Sequence, residues 1–402
     1  MQRARRAARP FILTRRCFMA TDVSSFKDAY KKAIQSDFPA EAKLVIGDTT
    51  IPLKKVPFQL RYGTNPHQPF IAYAPADGKN CSVGNLDILK GGKEGLSLTN
   101  LQDMSQAINI LKFFRKPSCT IMKHVNPCGF KVETAGESLS DIYRIARACD
   151  ERSAFGSIIG FNTTVDAATA EAVMESFVEG IIAPSYEPAA LEILKKNEGT
   201  KKLNNAIRVA KAANMGGVPK FIGDDVSGYY NLRNLVDGSL TVEVPYLTRI
   251  RSAEDFVIDP MIPNADPAKN GGANYVVRRK PTEKELEDCL VAWYVNINVR
   301  SNGIVFVKDG AAIAVGTGEQ ERVGAVEQAI DKALKKGHSL KGAVMSSDAF
   351  FPQRDSIDTV AREGVTAVVW PAGSMNDALV IEAANEHNIA LMATLERCFL
   401  HI

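Results

Sequence analysis

The stretch Cys119-Thr-Ile-Met-Lys-His-Val-Asn-Pro-Cys-Gly129 decides the fold, because a short apolar run ends there in a lysine and a histidine. Cys119 to Met122 is typical of a buried β-strand, since the run is too short for a helix. Lys123 and His124 then lie at the carboxyl end of that strand, and the Pro-Cys-Gly sequence is predicted to turn the chain sharply. Ligands of α/β proteins bind beyond the carboxyl ends of strands. The pair is therefore a candidate catalytic site, with a solvated surface position as the alternative.

Apolar runs and helical periodicities alternate on both sides of this segment. A helix is predicted before it, where apolar residues recur every three or four positions from Leu101 to Leu111. After it, helices and strands alternate as far as Ala183. The pattern restarts at Pro281 with a long helix and a hairpin at Lys308-Asp309-Gly310, and then alternates again to the carboxyl terminus. This alternation predicts an α/β fold with a mostly parallel sheet and helices on its faces.

The length of 402 residues indicates more than one hydrophobic core, because single cores usually stop growing at about 250–300 residues. We expect a leader and amino-terminal extension at residues 1–51, a first α/β unit at 52–196, a connector at 197–280 and a second α/β unit at 281–402. The connector is predicted to be partly irregular, because it is richer in Gly, Asn and Lys than the segments around it.

The formal net charge of +3 comes from the amino terminus, where residues 1–18 hold six arginines and no acid. The remaining chain is mildly acidic, so its charge gives no reason to expect nucleic-acid binding. No apolar run approaches the ~20 residues of a membrane-spanning helix, which excludes a membrane protein. The leader is interpreted either as a mitochondrial presequence or as a segment before a true start at Met19 of a cytoplasmic protein.

Metal and dinucleotide chemistry are not indicated. The seven cysteines are scattered without a Cys-x-x-Cys pair, so we expect reduced thiols in an intracellular compartment and no bound metal. A zinc deaminase is the rival enzyme class, but it needs His-x-Glu and Pro-Cys-x-x-Cys, and the chain has neither. Gly316-x-Gly318 follows a predicted strand, yet it lacks the third glycine and the acidic partner of a dinucleotide site.

Eight segments occur in the order found in AICAR formyltransferases, and from about residue 55 to 402 the chain resembles that family. The segments are Arg61-Tyr-Gly-Thr-Asn-Pro-His-Gln68, Asn100-Leu-Gln-Asp103, Lys123-His-Val-Asn-Pro-Cys-Gly129, Ala154-Phe-Gly156, Glu179-Gly-Ile-Ile-Ala-Pro184, Arg300-Ser-Asn302 with Gly316-Thr-Gly-Glu-Gln-Glu-Arg322, Ser347-Asp-Ala-Phe-Phe-Pro352 with Asp355, and Arg397-Cys-Phe399. The resemblance implies two tandem cytidine-deaminase-like units and a homodimer with shared active sites. It also implies the reaction, transfer of a formyl group from 10-formyltetrahydrofolate to the 5-amino group of AICAR (aminoimidazole carboxamide ribotide).

The resemblance assigns three catalytic residues. The aromatic amine of AICAR is a weak nucleophile, and its attack on the formyl carbon builds an oxyanion, so the reaction needs a base and a positive charge. His124 is implied as the base on the amine, and a histidine titrates near neutral pH, where such a base is needed. Lys123 and Asn302 are implied to stabilise the oxyanion or the departing folate nitrogen.

Ten further residues are implied as substrate contacts: Arg61, Tyr62 and Arg397 at the phosphate, Asn100 and Glu179 at polar groups, Phe155, Gly156 and Phe350 around the base, and Arg322 and Asp355 on the folate side. Guanidinium groups suit a phosphate because they bind it through paired hydrogen bonds. The alternative for the two phenylalanines is packing in the core. The alternative for Arg322 and Asp355 is a surface salt bridge.

Departures from the family pattern leave a second functional class open. Ile297, Gln353 and Trp370 stand where relatives commonly have lysine, phenylalanine and glutamine. Only about fifty residues precede the first motif, so we expect the cyclohydrolase domain to be absent and another protein to close the ring. The alternative function is a non-catalytic nucleotide-binding homologue or a partner subunit of a separate cyclohydrolase, and formate with ATP is the alternative formyl source. The adjacent Lys123 and His124 favour an enzyme.

Overall fold

The computed structural model describes residues 38–76, 83–92, 94–196 and 205–401. The predicted leader at residues 1–18 lies outside these ranges. The strands are β1 (Glu41–Ile46), β2 (Thr49–Lys55), β3 (Tyr73–Pro75), β4 (Asp87–Gly91), β5 (Ser118–Lys123), β6 (Asn126–Val132), β7 (Ile158–Phe161), β8 (Gly180–Ala183), β9 (Arg208–Lys211), β10 (Asn231–Asn234), β11 (Leu240–Glu243), β12 (Met261–Ile262), β13 (Tyr275–Val276), β14 (Ile304–Lys308), β15 (Ala311–Gly316), β16 (Val344–Ser347), β17 (Ala367–Trp370) and β18 (Ala390–Ala393). The α-helices are α1 (Leu98–Leu111), α2 (Leu139–Ala148), α3 (Glu151–Ala154), α4 (Ala167–Met174), α5 (Pro188–Lys195), α6 (Glu283–Asn296), α7 (Arg322–Lys335), α8 (Asp355–Arg362) and α9 (Asp377–Glu386).

An 11-stranded central sheet runs through the molecule in the order β18-β17-β16-β14-β15-β6-β5-β7-β8-β9-β4. Its outer pairs β7–β8, β8–β9, β16–β17 and β17–β18 are parallel. The other neighbours are antiparallel, including the two hairpins β5–β6 and β14–β15 that join side by side at the centre and the edge pair β9–β4. The predicted α/β class is confirmed, but the predicted mostly parallel sheet is wrong. Apolar periodicity locates strands and carries no information on their direction.

Successive side chains along each strand point to opposite faces of the sheet, and both faces are covered by helices. On one face, α1 and α6 pack over a single core that contains Met122 and Val305. On the other face the two halves have separate cores, one with Ile121 beneath α2, α4 and α5 and one with Phe306 beneath α7, α8 and α9. The molecule is therefore a three-layer sandwich. No helix in the described ranges is long and apolar enough to span a bilayer.

The two halves of the central sheet repeat one arrangement of elements. In each, a helix of 14 residues with an amino-terminal capping box precedes a hairpin, with Ser97 capping α1 and Thr282 capping α6. The tight turns, His124–Val125 and Asp309–Gly310, follow these caps at the same sequence distance. The first strand of each hairpin, β5 or β14, pairs antiparallel with the first of three parallel strands. Because β6 and β15 run antiparallel, the two turns lie at opposite edges of the sheet.

Most predicted elements are confirmed, including the strand from Cys119 to Met122 and the Asp-Gly hairpin turn. The predicted turn at Pro127 and Gly129 is wrong, because both residues lie inside β6 and pair with β5. Glycine has a packing role there. A Cβ at Gly129 would lie 2.0 Å from the carbonyl oxygen of Ala146, so its absence lets α2 lie close to the sheet.

Three smaller sheets surround the central one. Strands β1, β2 and β3 form an antiparallel sheet near the start of the described chain, and β12 pairs with β13. Strands β10 and β11 form a hairpin in which every residue is exposed. Leu232 lies opposite Val242, and Leu240 lies on the same face, so one face of this hairpin is apolar.

Candidate active site

One edge of the central sheet brings together the residues that carry the sequence motifs. Strand β5 is antiparallel to β6 and β7, and β14 is antiparallel to β15 and β16. The end of β5, the starts of β6 to β9, the start of β14 and the ends of β15 to β18 therefore share one edge, which we call the site edge. Lys123, Gly156, Glu179 and Asn302 all lie next to these strand ends.

The ammonium of Lys123 is fixed at the site edge. Its Nζ donates to the carbonyl oxygens of Phe155 at 3.0 Å and of Gly156 at 2.6 Å. Gly156 has φ 69°, and a Cβ there would be 3.1 Å from the lysine Nζ. The amide of Gly156 donates to the carbonyl oxygen of Phe177 at 2.9 Å. Since an ammonium has three N–H donors, these bonds orient the cation and leave donor capacity for a ligand.

His124 and Val125 form the two-residue turn between β5 and β6. Their φ angles of 53° and 66° are both positive, as in the type I′ turns of hairpins. The His124 side chain is exposed and Val125 is buried. The amide of Val125 donates to Oδ1 of Asp103 at 2.6 Å. The sequence motif contained Asp103, but no role was predicted for it.

Asn126 joins this turn to the second half of the chain. Its Nδ2 donates to the carbonyl oxygen of His124 at 3.2 Å, and its Oδ1 accepts from the Arg300 amide and from Oγ1 of Thr317, each at 3.4 Å. Asn302 follows two residues after Arg300, and its Nδ2 donates to the carbonyl oxygen of Glu319 at 2.6 Å. The segment that carries Asn302 is therefore docked beside the β5–β6 hairpin.

A second group of residues lies around Glu179. Its Oε2 accepts from Nδ2 of the buried Asn100 at 2.8 Å, and its carbonyl oxygen accepts from Nη1 of Arg208 at 3.4 Å. Arg208 is buried, and burial lowers its pKa, an effect to which the nearby positive charge of Arg61 adds and which Glu179 opposes. The Arg61 guanidinium lies 4.7 Å from the centre of the Tyr62 ring. The structure thus brings these four predicted residues together with Arg208.

The sequence reasoning missed Arg208. A charged residue inside the apolar strand Ile207-Arg-Val-Ala210 was the available signal, because burial of such a charge requires partners. Nε of Arg208 donates to the carbonyl oxygen of Gly95 at 2.8 Å, just before α1 begins.

Arg322 and Arg397 both lie near the ring of Phe399. Their guanidinium carbons are 5.9 Å and 4.9 Å from the centre of its ring. Arg322 is buried and forms an ion pair with the fully buried Asp348, so the predicted alternative of a surface salt bridge is wrong for this arginine. Burial raises the pKa of Asp348, and the charge of Arg322 opposes that rise. Asp355 is exposed at the start of α8, where its carboxylate accepts from the Ser356 amide at 2.7 Å.

The two predicted base-contacting phenylalanines are exposed. Phe155 is 56% exposed and Phe350 is 41% exposed, whereas the adjacent Phe351 is fully buried. The alternative that Phe155 and Phe350 pack in the core is therefore wrong. The Phe155 ring rests against Phe177, with ring centres 5.1 Å apart. Aromatic faces that are held in place at a sheet edge can stack on a planar ligand.

The five cysteines within the described ranges are free thiols. Across the same part of the chain, no three His, Cys, Asp or Glu side chains cluster as metal ligands.

Comparisons with known proteins show the family to which this chain belongs. The family model described as AICARFT/IMPCHase bienzyme matches residues 4–221 and 248–332. The bifunctional purine biosynthesis protein PurH of Persephonella marina is 37% identical over 351 residues, which cover 86% of this chain and 60% of that protein. The proteins of the same name from Xanthomonas campestris pv. campestris and Xanthomonas axonopodis pv. citri are 39% and 40% identical over 346 residues, covering 85% of this chain and 58% of theirs.

This chain therefore spans about 60% of the length of these relatives. A solved structure, a diaminohydroxyphosphoribosylaminopyrimidine deaminase/5-amino-6-(5-phosphoribosylamino)uracil reductase from Thermotoga maritima, is 29% identical and covers 23% of this chain and 30% of its own, but its TM-score of 0.19 carries no argument. The family match covers most of the chain, and the relatives match along nearly all of it. The chain belongs to the AICARFT/IMPCHase bienzyme family.

Proposed function

We propose that this chain catalyses formyl transfer in purine biosynthesis, from 10-formyltetrahydrofolate to the 5-amino group of AICAR. The products are formyl-AICAR and tetrahydrofolate. The observation that carries the proposal is the pairing of an oriented ammonium with an exposed imidazole on one hairpin turn, next to the docked Asn302 segment. These are the groups that acyl transfer to a weak amine requires.

In the proposed reaction the AICAR nitrogen attacks the formyl carbon while His124 takes a proton from the amine. The carbonyl π electrons move to oxygen, and Lys123 and Asn302 stabilise the resulting oxyanion. Collapse of this intermediate re-forms the C=O bond and breaks the bond from carbon to the folate nitrogen, which receives the proton. A positioned base contributes roughly 10²- to 10⁴-fold to such a step.

The substrate phosphate would bind the arginines of the site edge. Arg61 is partly exposed beside the buried Arg208, and Arg397 lies against Phe399. Phe155 and Phe350 would pack around the planar base of AICAR, since both rings are presented to solvent. No step in this scheme uses a metal ion.

The repeated helix–hairpin–three-strand arrangement supports two tandem units, which we propose to be cytidine-deaminase-like. Its first copy includes β9 (Arg208–Lys211) and so extends past the predicted boundary at residue 196, whereas the second copy lies within residues 281–402. We also propose a homodimer with shared active sites. The β10–β11 hairpin exposes an apolar face formed by Leu232, Leu240 and Val242, and such faces on soluble proteins are commonly covered by a partner.

One assay tests the proposal. Purified protein is mixed with AICAR and 10-formyltetrahydrofolate, tetrahydrofolate release is followed, and the nucleotide product is identified by mass spectrometry. We expect formyl-AICAR to accumulate, with no turnover when formate and ATP replace the folate. Binding of AICAR without release of tetrahydrofolate would instead support a non-catalytic nucleotide-binding protein.

A further inference from the structure

The two equivalent hairpin turns differ in how well their residues suit the backbone. Asp309 and Gly310 have φ angles of 53° and 70°, and an Asp-Gly pair adopts such a turn readily. His124 and Val125 adopt nearly the same angles, 53° and 66°. A β-branched residue in the left-handed region is strained and persists only where the surroundings hold it.

A buried carboxylate supports each of these turns from the same position of the preceding helix. In α6, Oδ1 and Oδ2 of Asp288 accept from the amides of Gly310 at 2.7 Å and Asp309 at 3.1 Å. In α1, Asp103 lies at the equivalent distance from the helix cap, and its Oδ1 accepts from the Val125 amide at 2.6 Å. Both aspartates are almost completely buried. Because β6 and β15 are antiparallel, only the Asp103 turn lies at the site edge, and the turn at the far edge carries no lysine–histidine pair.

We infer that Asp103 is a positioning residue for formyl transfer, because it holds the strained His124–Val125 turn and thereby fixes the direction of the His124 imidazole and the end of β5. This inference rests on the proposed function. The Val125 amide is the group through which Asp103 acts, and the Asp103 carboxylate itself need not touch substrate.

The charges around Asp103 agree with this role. Burial raises its pKa to about 6, while its hydrogen bond from Val125 and the nearby positive groups of His124 and Lys123 lower it. The carboxylate therefore lies close to both functional side chains of the hairpin. Relaxation of the turn would change the position of the imidazole, and small displacements of a catalytic group can cost on the order of 10²-fold in rate.

The test compares Asp103→Ala, Asp103→Asn and the matched control Asp288→Ala in the full chain. For Asp103→Ala we expect kcat to fall roughly 10- to 100-fold with KM for AICAR changed less than about threefold, the pattern of a group that acts only in the transition state. Asp103→Asn should recover most of kcat, because its amide oxygen still accepts from Val125. Asp288→Ala should leave kcat within about twofold, since it loosens the turn at the other edge.

Hydrogen–deuterium exchange of the peptide that contains Val125 provides a readout independent of catalysis. We expect faster exchange in Asp103→Ala and parental exchange in Asp103→Asn. Parental kcat and parental exchange in Asp103→Ala would overturn the inference, as would equal losses of kcat in Asp103→Ala and Asp288→Ala. If the parent protein transfers no formyl group, the proposed function fails, and the exchange comparison still decides whether Asp103 holds the turn.

Discussion

At the scale of single residues, Lys123 and His124 are adjacent but are held differently. The lysine ammonium is fixed by two carbonyl acceptors, whereas the imidazole is exposed and is directed only by the turn that carries it. A fixed cation can stabilise charge that develops on the substrate without rearranging. In the proposed reaction an exposed imidazole can take the proton of the amine and return it to the departing folate nitrogen. Lys123 therefore suits stabilisation of the oxyanion, and His124 suits proton removal from the amine.

Replacement of His124 tests its proposed role as the base. We expect His124→Ala to lower turnover roughly 10²- to 10⁴-fold while AICAR affinity changes little, because a general base acts on the transition state. Steady-state rates and isothermal titration with AICAR measure the two quantities. His338→Ala is the control, since His338 contacts the carbonyl oxygens of Ala148 and Cys149 away from this turn. Turnover within about threefold of the parent would remove His124 from the mechanism.

The proposed phosphate-binding arginines give a second residue-scale prediction. Arg61→Ala and Arg397→Ala should weaken AICAR binding more than binding of the dephosphorylated riboside, because each removes charge-assisted hydrogen bonds to phosphate. Dissociation constants for both ligands measure this difference. Arg144→Ala is the control, since Arg144, on α2, forms an exposed ion pair with Glu175, and its replacement should leave both constants unchanged. Equal weakening for both ligands would show that these arginines do not contact the phosphate.

The buried Asp103 also predicts a dependence of stability on pH. Its pKa is raised from 3.8 to about 6, so the folded protein holds this proton more tightly than the unfolded chain does. The stabilising contribution of the protonated carboxyl is complete below about pH 4 and is lost as pH rises through about 6. We expect Asp103→Asn to gain on the order of 1–3 kcal/mol in free energy of unfolding relative to the parent between about pH 4 and 7. Denaturant unfolding across that range measures the free energy of unfolding of both proteins. A difference between Asp103→Asn and the parent that does not change with pH would contradict the prediction.

At the scale of elements, the sequence predicted what depends on local chemistry. The Asp309–Gly310 turn could be predicted because Asp-Gly adopts positive φ readily, and β8 could be predicted because its residues are uniformly apolar. The His124–Val125 turn could not be predicted, since a distant carboxylate holds it. Pro127 gave a misleading turn signal because its place inside β6 is set by pairing with β5. Strand direction and the approach of Arg208 to Glu179 depend on long-range packing that no local pattern encodes.

The contact between β6 and α2 gives a prediction at this scale. Gly129→Ala should destabilise the protein by about 1–3 kcal/mol or more, because its Cβ would overlap the carbonyl oxygen of Ala146 and force α2 from the sheet. Gly91→Ala is the matched control, since a Cβ on this strand glycine would meet no atom within 4 Å. Thermal unfolding measures both variants. Equal melting temperatures for the two would show that α2 yields without cost.

At the scale of the whole molecule, the site edge combines both halves of a continuous sheet, because Asn126 ties the first hairpin to the Arg300–Asn302 segment. The exposed phenylalanines at this edge and the apolar face of the β10–β11 hairpin remain open to solvent in a single chain. Burial of apolar area stabilises association by about 25 cal/mol per Å² before the costs of ordering. A second copy of the chain is therefore the partner that we expect on the hairpin.

The apolar hairpin face provides the last prediction. Leu232→Asp together with Val242→Asp should convert a dimer into monomers, because Leu232 and Val242 lie opposite each other on the exposed apolar face and two carboxylates there would have to be desolvated. Thr241→Asp is the matched control, since Thr241 lies on the polar face of the same hairpin and should leave the dimer intact. Light scattering after size-exclusion chromatography measures mass, and the formyl-transfer assay measures whether activity falls with dissociation. If the parent is monomeric at the concentration at which it is fully active, shared active sites are excluded and the hairpin faces another partner.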